Sequence, residues 1–208
     1  MKLLLLGSLI VFLLVTVVAL ELQRKPYVLP KIVWTHWDSP NPPDHVQQVV
    51  NRMREVLPDW SIRLLTTNDF LQSVSPREIP ANFDTLGVAH QADWIRLKLL
   101  QKYGGCWIDS GVILNQSINP LYRECVTKKA DVVVFKILGM QTNPKYPVGE
   151  NWFIMAPQNS PFISLWLEEY EYAIDIGFHA YKKDIKAQGV DLQNLMKSST
   201  DVLSLIHI

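Results

Sequence analysis

Three charged side chains stand at a spacing that would bring them to one ligand. Asp93 and Arg96 are three residues apart in a segment of helical periodicity, Val88 to Tyr103, so they share one helix face. Two glycines follow this segment, and Asp109 then stands inside an apolar run, Gly105 to Leu114, which the pattern predicts to be a strand. An ionised carboxylate in a hydrophobic strand is costly unless something pairs with it. Asp109 is therefore a candidate for contact with a ligand or a metal ion.

These residue types suit a ligand that carries ribose and phosphate groups. A carboxylate accepts hydrogen bonds from ribose hydroxyls, and an arginine pairs with phosphate. A carboxylate that ends a strand can also hold Mg²⁺ or Mn²⁺ against a diphosphate. Two simpler interpretations stay open on spacing alone: Asp93 and Arg96 can form a helix-surface ion pair, and Asp109 can cap a turn.

The surrounding pattern places the three side chains at the edge of a sheet. Apolar runs rich in β-branched and aromatic residues alternate with segments of helical spacing, and this order predicts an α/β fold with a largely parallel sheet. In such folds ligands bind outside the carboxyl ends of the strands. The predicted strands are 31–37, 60–66, 105–114, 131–138 and 151–156, and the clearest predicted helices are 88–103 and the one that Pro161 opens.

The composition suits one packed domain and gives no reason to expect a nucleic-acid partner. The chain has 208 residues, of which 48% are hydrophobic and 19% are charged, as in a globular protein. Lys plus Arg equal Asp plus Glu at 20 each, so the net charge of zero offers no attraction to DNA or RNA. Cys106 and Cys125 lack metal-ligand spacing, and we expect Cys106 to be a buried free thiol rather than half of a disulfide.

Both ends of the chain carry apolar runs. The run from Leu3 to Leu20 has no charge and is near the length of a membrane-spanning helix. It predicts a signal anchor, a transmembrane helix over residues 1–22, followed by a stem over 23–30 and the main domain over 31–208. A cleaved signal peptide, which would give a secreted protein, is the alternative. The chain stops in the apolar run DVLSLIHI, from which we expect the main domain to be incomplete at its C-terminus.

The central stretch also resembles a known family of enzymes. ADWIRLKLLQKYGGCWIDSGVIL, residues 92–114, is similar to the core of DXD-type glycosyltransferases of the capsular polysaccharide synthesis and glycosyltransferase 32 group. The positions that match the family pattern are Asp93, Arg96, Leu100, Gly104, Gly105, Trp107 and Asp109. LPKIVWTHW at 29–37 and NWFIMAPQNSPFI at 151–163 look similar too, so the resemblance covers about residues 29–175.

The resemblance implies a fold, a reaction and a set of site residues. It implies a GT-A-like, Rossmann-type fold and a hexosyltransferase-type glycosyltransferase that moves a sugar from a nucleotide-sugar donor, a UDP-sugar, to a glycan or glycoconjugate acceptor. Asp109 would be the first carboxylate of the DXD motif, the catalytic residue and the metal contact. The other donor-binding residues implied are Trp34, Thr35, His36, Asp93, Arg96, Gly104 and Gly105, with Trp34 or Trp37 stacked on the base or simply part of the core. In a eukaryote the predicted anchor implies a type II, single-pass membrane protein of the Golgi with a lumenal catalytic domain.

One departure from the family pattern bears on the metal. The second carboxylate of the DXD motif is replaced by Gly111, which has no side chain to ligate a cation. This departure suggests the capsular branch and puts dependence on Mn²⁺ or Mg²⁺ in question. It also keeps two alternatives open: an inactive protein that binds sugar nucleotides or serves as a scaffold, and a purely structural α/β module.

Overall fold

The computed structural model describes residues 26–136, 148–189 and a two-residue strand at 206–207. Within these ranges the chain forms an α/β fold of six strands and six α-helices. The strands are β1 Ile32–His36, β2 Ser61–Leu65, β3 Gly105–Ile108, β4 Val133–Lys136, β5 Val148–Ala156 and β6 Ile206–His207. The helices are α1 Asp44–Val56, α2 Thr67–Ser73, α3 Val88–Tyr103, α4 Asn119–Lys128, α5 Pro161–Ile176 and α6 Phe178–Ala187, with 3₁₀ turns at Pro76–Glu78 and Phe83–Thr85.

The sheet is mixed, so the prediction of a largely parallel sheet was wrong. Its order is β2-β1-β3-β5-β4, with β6 paired to β5. β1 is parallel to β2 and β3, whereas β5 is antiparallel to β3, β4 and β6. A parallel pair needs a crossover of a dozen or more residues, usually a helix. Only eleven residues, 137–147, separate β4 from β5, and this connection favours an antiparallel return.

Two core layers cover the two faces of the sheet. One layer, centred on Trp94, Trp107 and Tyr170, packs α3, α5 and α6 onto one face. The other, which contains Val33 and Cys106, packs α1 and α4 onto the opposite face. Neighbouring residues of β1 and β3 fall into different layers because successive side chains of a strand point to opposite faces. Both faces are therefore buried, which is why the strands read as nearly continuous apolar runs in the sequence.

The segment before β1 packs onto the domain. The hydroxyl of Tyr27 lies 3.1 Å from the carbonyl of Cys125 and 3.0 Å from that of Ala130, and these two acceptors share its one proton. Leu29 is buried with the second core layer. The last residues of the predicted stem thus contact α4, while the remaining residues of that stem lie outside the described ranges. Cys106 and Cys125 are both free and buried, as the sequence led us to expect for Cys106.

The membrane predictions require correction. Among the described residues, no helix is both long enough and apolar enough to cross a membrane. This finding goes against the predicted single-pass topology, and against the signal-anchor, lumenal and Golgi assignments that depended on it. The segment from which those predictions came, residues 1–22, lies outside the described residues.

The strand that leads to Asp109 is shorter than its sequence predicts. The apolar run continues to Leu114, but β3 ends at Ile108. Asp109 still donates its backbone N–H to the carbonyl of Trp152 on β5, at 2.9 Å, and its own carbonyl accepts from the N–H of Val112 at 3.0 Å. This turn stops the strand because it takes the backbone groups that a longer ladder would use. Asp109 therefore stands at the carboxyl end of β3 rather than within it.

Two glycines join α3 to β3 with almost no spare room. Gly104 and Gly105 have φ values of +67° and +105°, which side-chain-bearing residues rarely adopt. A Cβ on Gly104 would lie 2.5 Å from the backbone nitrogen of Gln158, and one on Gly105 would lie 2.7 Å from the carbonyl oxygen of Ile32. Only glycine lets the chain reverse here and still pack against its neighbours.

We expect Gly104→Ala to destabilise the fold, because it combines an unfavourable backbone region with a clash against immobile backbone. Such a backbone region alone costs about 1–3 kcal/mol. Gly111→Ala is the matched control, since a Cβ there meets nothing within 4 Å. Urea unfolding of both variants measures the difference. Equal stabilities for the two variants would show that the tight turn relaxes without penalty.

Candidate functional site

The centre of the site is the buried guanidinium of Arg96, which lies between two carboxylates. Its Nη1 is 3.1 Å from Oδ1 of Asp93, one turn earlier on α3, and its Nη2 is 3.3 Å from Oδ1 of Asp109 after β3. Arg96 is 5% exposed, so this charge is almost fully removed from water. A buried charge needs such compensation to be tolerated. We call these residues the Asp93–Arg96–Asp109 triad.

The indole of Trp107 completes the support of the triad. Its Nε1 donates a hydrogen bond of 2.6 Å to Oδ1 of Asp109, two residues later. The guanidinium of Arg96 also lies 5.0 Å from the centroid of the Trp107 ring, a cation–π distance. One aromatic side chain therefore orients both the carboxylate and the cation.

The two carboxylates differ sharply in their access to solvent. The side chain of Asp93 is 10% exposed and that of Arg96 is 6% exposed, whereas the side chain of Asp109 is 40% exposed. Asp109 is thus the member of the triad that a ligand from solution reaches first. Asp93 pairs with Arg96 on the buried side, away from solvent.

The contact between Arg96 and Asp93 is electrostatic more than directional. Nη1 lies within ion-pair distance of Asp93, yet neither Nη1 nor Nε of Arg96 has an aligned hydrogen-bond partner among the residues that the structure describes. Nη1 can lie this close to Asp93 without a hydrogen bond because its N–H does not point at the carboxylate oxygen, and hydrogen bonds weaken steeply with such misalignment. Among the described residues, two donors of a buried cation are therefore left without a directional partner, and such a group calls for an explanation, of which a functional role is one.

His36 ends β1 close to the triad. It is 7% exposed, and its Nε2 lies 3.0 Å from Oγ1 of Thr67. Burial lowers its pKa from the ordinary value of 6.5; the charge of Arg96 lowers it further, while the carboxylates of Asp38 and Asp109 act in the opposite direction. The imidazole is accordingly neutral at neutral pH, although it stands in the electrostatic field of two triad members.

A cavity opens where β1 and β2 end. Its volume is about 350 Å³, and it begins at Trp37, the residue after His36. Thr66 and Asp69 on its wall form the capping box of α2, in which each side chain accepts a hydrogen bond from the backbone N–H of the other. The residues that line the cavity are Trp37, Ser39, Pro40, Pro42, Leu64, Thr66, Asn68 and Asp69. This is the sheet edge at which α/β proteins bind ligands.

Three of the predicted donor-binding residues lie at the other end of the sheet. Gly104 precedes β3 and Gly105 is its first residue, so both stand at the edge opposite Asp109. The indole of Trp34 reaches the same edge, because its Nε1 donates to the carbonyl of Gly104 at 2.8 Å. The structure therefore brings Asp93, Arg96, Asp109 and His36 together and does not bring these three residues to them.

Thr35 lies on the opposite face of the sheet from His36, since the two are neighbours in β1. It is fully buried, and its Oγ1 has no hydrogen-bond partner among the described residues.

Two polar side chains that the sequence did not single out contact the triad. Asn151 on β5 donates from Nδ2 to Oδ1 of Asp93 at 3.2 Å, and the hydroxyl of Tyr170 on α5 lies 3.4 Å from Oδ2, with the carbonyl of His90 as its other acceptor at 3.2 Å. No local spacing relates these residues to Asp93, because they follow it by 58 and 77 positions. The one sequence signal was that Asn151 opens a block similar to the family.

The described residues do not build a metal site from protein ligands. Within residues 26–136 and 148–189, no group of three or more His, Cys, Asp or Glu side chains converges on a point that could hold an ion. Asp109 already meets an indole N–H and a guanidinium, and Gly111 is exposed and offers no side-chain ligand. One carboxylate beside a cation is a poor match to the several oxygen ligands that Mg²⁺ requires.

Comparison with known proteins gives a consistent picture of relatedness. A family model described as "Capsular polysaccharide synthesis protein" matches residues 20–173. The "O-glycosyltransferase braB" of Annulohypoxylon truncatum is 29% identical over 220 residues, which cover 88% of this chain and 51% of that protein. The "O-glycosyltransferase PaGT" of Phomopsis amygdali is 24% identical over 197 residues, which cover 88% of this chain and 47% of that protein.

Among solved structures, the "PaToxG Glycosyltransferase" matches with a TM-score of 0.49 and 12% identity, over 73% of this chain and 63% of that one. The chain spans about half the length of the two curated relatives. The family match confirms the resemblance that residues 92–114 suggested.

We expect His36 to make the fold less stable in mild acid. Because its folded-state pKa lies below the unfolded value of 6.5, the unfolded chain binds the proton more readily. The stability that neutral His36 contributes is thus present above pH 6.5 and is lost as pH falls through the folded-state pKa. Urea unfolding at pH steps from about 7.5 to about 5 should show a smaller loss in His36→Gln than in the natural chain. Parallel pH curves would contradict this assignment.

Proposed function

The chain belongs to the capsular polysaccharide synthesis protein family, and we propose that it is a glycosyltransferase. The reaction moves a hexosyl group from a nucleotide-sugar donor, a UDP-sugar, to a hydroxyl of a glycan or glycoconjugate. One observation carries the proposal: a buried arginine and a half-exposed carboxylate meet at the carboxyl edge of the sheet, the same edge at which a cavity opens at the ends of β1 and β2. The two O-glycosyltransferases among the relatives support it.

We propose that the cavity receives the nucleoside part of the donor. Its volume of about 350 Å³ is within the range of ligand pockets. Trp37 supplies an aromatic face on which a base can stack, and the side chains of Ser39, Asn68 and Asp69 supply polar groups for the base and ribose. Of the two tryptophans that the resemblance implied for stacking, this assignment favours Trp37 over Trp34, whose indole donates to the carbonyl of Gly104.

The donor's diphosphate and sugar would then lie toward the triad. The bond between the anomeric carbon and the diphosphate oxygen breaks, the acceptor oxygen bonds to that carbon, and the hydroxyl proton is released. Negative charge grows on the leaving diphosphate. The charge of Arg96 stabilises that growth at short range, because a cation in a water-poor site acts more strongly than one in bulk water.

Asp109 contributes orientation in this scheme. Its carboxylate is fixed on the protein side by Trp107 and Arg96 and is open on the solvent side, so it can accept hydrogen bonds from hydroxyls of the donor. Neutral His36, next to both groups, adds no positive charge to the site and leaves Arg96 as its principal cation.

The replacement at Gly111 favours one rival function. A protein of this family that had lost a metal-binding carboxylate could bind a nucleotide sugar without turning it over. Calorimetry and turnover assays on the full-length protein, with a panel of nucleotide sugars, separate the possibilities. Binding with transfer or donor hydrolysis supports the enzyme, binding without turnover supports the rival, and no binding at all leaves a structural module.

We expect Asp109→Asn to abolish transfer while the protein stays folded. The amide keeps an oxygen for the indole of Trp107 but loses the charge that orders Arg96 and the donor hydroxyls. The rate should fall by about a hundredfold or more, as for removal of one preorganised polar group, with a stability change of about 1 kcal/mol or less for a half-exposed ion pair. Asp84→Asn, at an exposed position away from the triad, is the control. An unfolded variant whose folded remainder is fully active would make Asp109 a structural cap instead.

We expect transfer to depend only weakly on Mn²⁺ or Mg²⁺, because Asp109 is the one exposed carboxylate that the triad offers. The test compares turnover with EDTA and with Mn²⁺, for the natural chain and for Gly111→Asp. The position has open space for the new side chain, and a second carboxylate should strengthen cation binding by about 1–3 kcal/mol. The variant should therefore bind Mn²⁺ roughly 5- to 150-fold more tightly and be activated by it more strongly than the natural chain. Complete loss of the natural activity in EDTA would contradict the expectation.

A further inference from the structure

A polar network continues from the triad into the core behind it. Tyr170 on α5 is 1% exposed, yet its hydroxyl is surrounded by polar atoms. The hydroxyl oxygen lies 3.4 Å from Oδ2 of Asp93, 3.2 Å from Nδ1 of His90 and 3.2 Å from the carbonyl oxygen of His90. The network thus runs from α5 through Asp93 to Arg96 and on to Asp109.

Asp93 is held from three separate elements. Tyr170 approaches Oδ2 from α5, Asn151 approaches Oδ1 from β5, and Arg96 approaches Oδ1 from α3 itself. A planar carboxylate with partners on both oxygens cannot rotate about χ2 without losing one of them. The contacts therefore fix the orientation of Asp93, and Asp93 in turn fixes the position of the guanidinium.

The hydroxyl of Tyr170 is separable from the packing of its ring. The ring belongs to the core layer and lies 5.9 Å from that of Phe178, contacts that a phenylalanine would keep. The ring alone would therefore serve the core equally well. What the hydroxyl adds are two contacts of 3.2 Å with His90 and one of 3.4 Å with the carboxylate of Asp93, which pairs with Arg96.

We propose that Tyr170 and Asn151 are positioning residues for sugar transfer. They hold the carboxylate of Asp93, and through it Arg96 and Asp109, in the arrangement that receives the donor; the catalytic part of this inference rests on the proposed function. Neither residue touches the donor. Displacements of about 1 Å in a positioned group can lower rates by roughly a hundredfold, so contacts of this kind matter to turnover.

The first experiment tests the network without any activity. The far end of the network is the indole N–H of Trp107, which donates to Asp109. In ¹⁵N–¹H spectra of the natural chain and Tyr170→Phe, we expect the indole resonance of Trp107 to shift. Tyr181→Phe is the matched control: Tyr181 is buried in the same core layer and donates to Glu169 at 2.8 Å, on a carboxylate outside the triad. If the indole resonance of Trp107 shifts neither in Tyr170→Phe nor in Tyr181→Phe, the proposal is overturned.

The second experiment tests the effect on transfer. Tyr170→Phe should lower kcat/KM by about tenfold or more, while its melting temperature changes no more than that of Tyr181→Phe. Asn151→Ala, which removes the other donor to Asp93 at a partly exposed position, should act in the same direction and covers the case in which Tyr170→Phe fails to fold. Full activity in both variants overturns the positioning role. If the natural chain transfers no sugar, the proposed function fails while the Trp107 resonance still decides whether the network exists.

Discussion

The arrangement of this site depends on one buried cation, the guanidinium of Arg96. Arg96 is nearly out of water, and a buried guanidinium left without a counter-charge would destabilise the fold by about 3–5 kcal/mol. The fold supplies compensation from two elements, with Asp93 on the same helix and Asp109 beyond the next strand. The ion pairs that hold the charge of Arg96 in the site are consequently also interactions that stabilise the fold. Preorganisation of this kind is what a reaction with growing negative charge can use.

Matched lengths explain the spacing of the triad along the chain. α3 and β3 run in opposite directions from the reversal at Gly104 and Gly105. Eleven helical residues back to Asp93 span about 16 Å at 1.5 Å each. Five extended residues forward to Asp109 span about 16 Å at 3.3 Å each. The two carboxylates therefore return to the same height, with Arg96 between them. The glycines lie far from the triad, yet they help determine its geometry, because a Cβ at either position would clash with the backbone of Gln158 or Ile32 and the turn between α3 and β3 could not pack as it does.

Some features of the fold and the site can be predicted from short stretches of the sequence, and others cannot. The helix 88–103, the shared face of Asp93 and Arg96 and a strand that leads to Asp109 follow from short-range pattern. The direction of β5 depended on the length of one connection, and the apolar run after Asp109 read as strand although a backbone turn ends β3 at Ile108. The contacts of Tyr170 and Asn151 join positions far apart in sequence, and no periodicity predicts them. The resemblance to a family implies that Gly104 is a donor contact, and tertiary packing adds a constraint that the sequence does not show, since a Cβ there would lie 2.5 Å from the backbone nitrogen of Gln158.

The distances within the triad indicate which contact yields when a donor binds. Charge-assisted hydrogen bonds are typically about 2.7–2.9 Å long. The contact of Arg96 with Asp109 is longer at 3.3 Å, whereas Trp107 holds the same carboxylate oxygen at 2.6 Å. A phosphate oxygen that approached Arg96 would therefore compete with the weaker of the two contacts. Asp109 would lose its contact with Arg96 but keep its hydrogen bond to Trp107. Its carboxylate would therefore stay oriented to accept hydrogen bonds from the donor's hydroxyls. In the proposed reaction, Trp107 is thus what allows one arginine to serve a protein carboxylate before donor binding and a diphosphate afterwards.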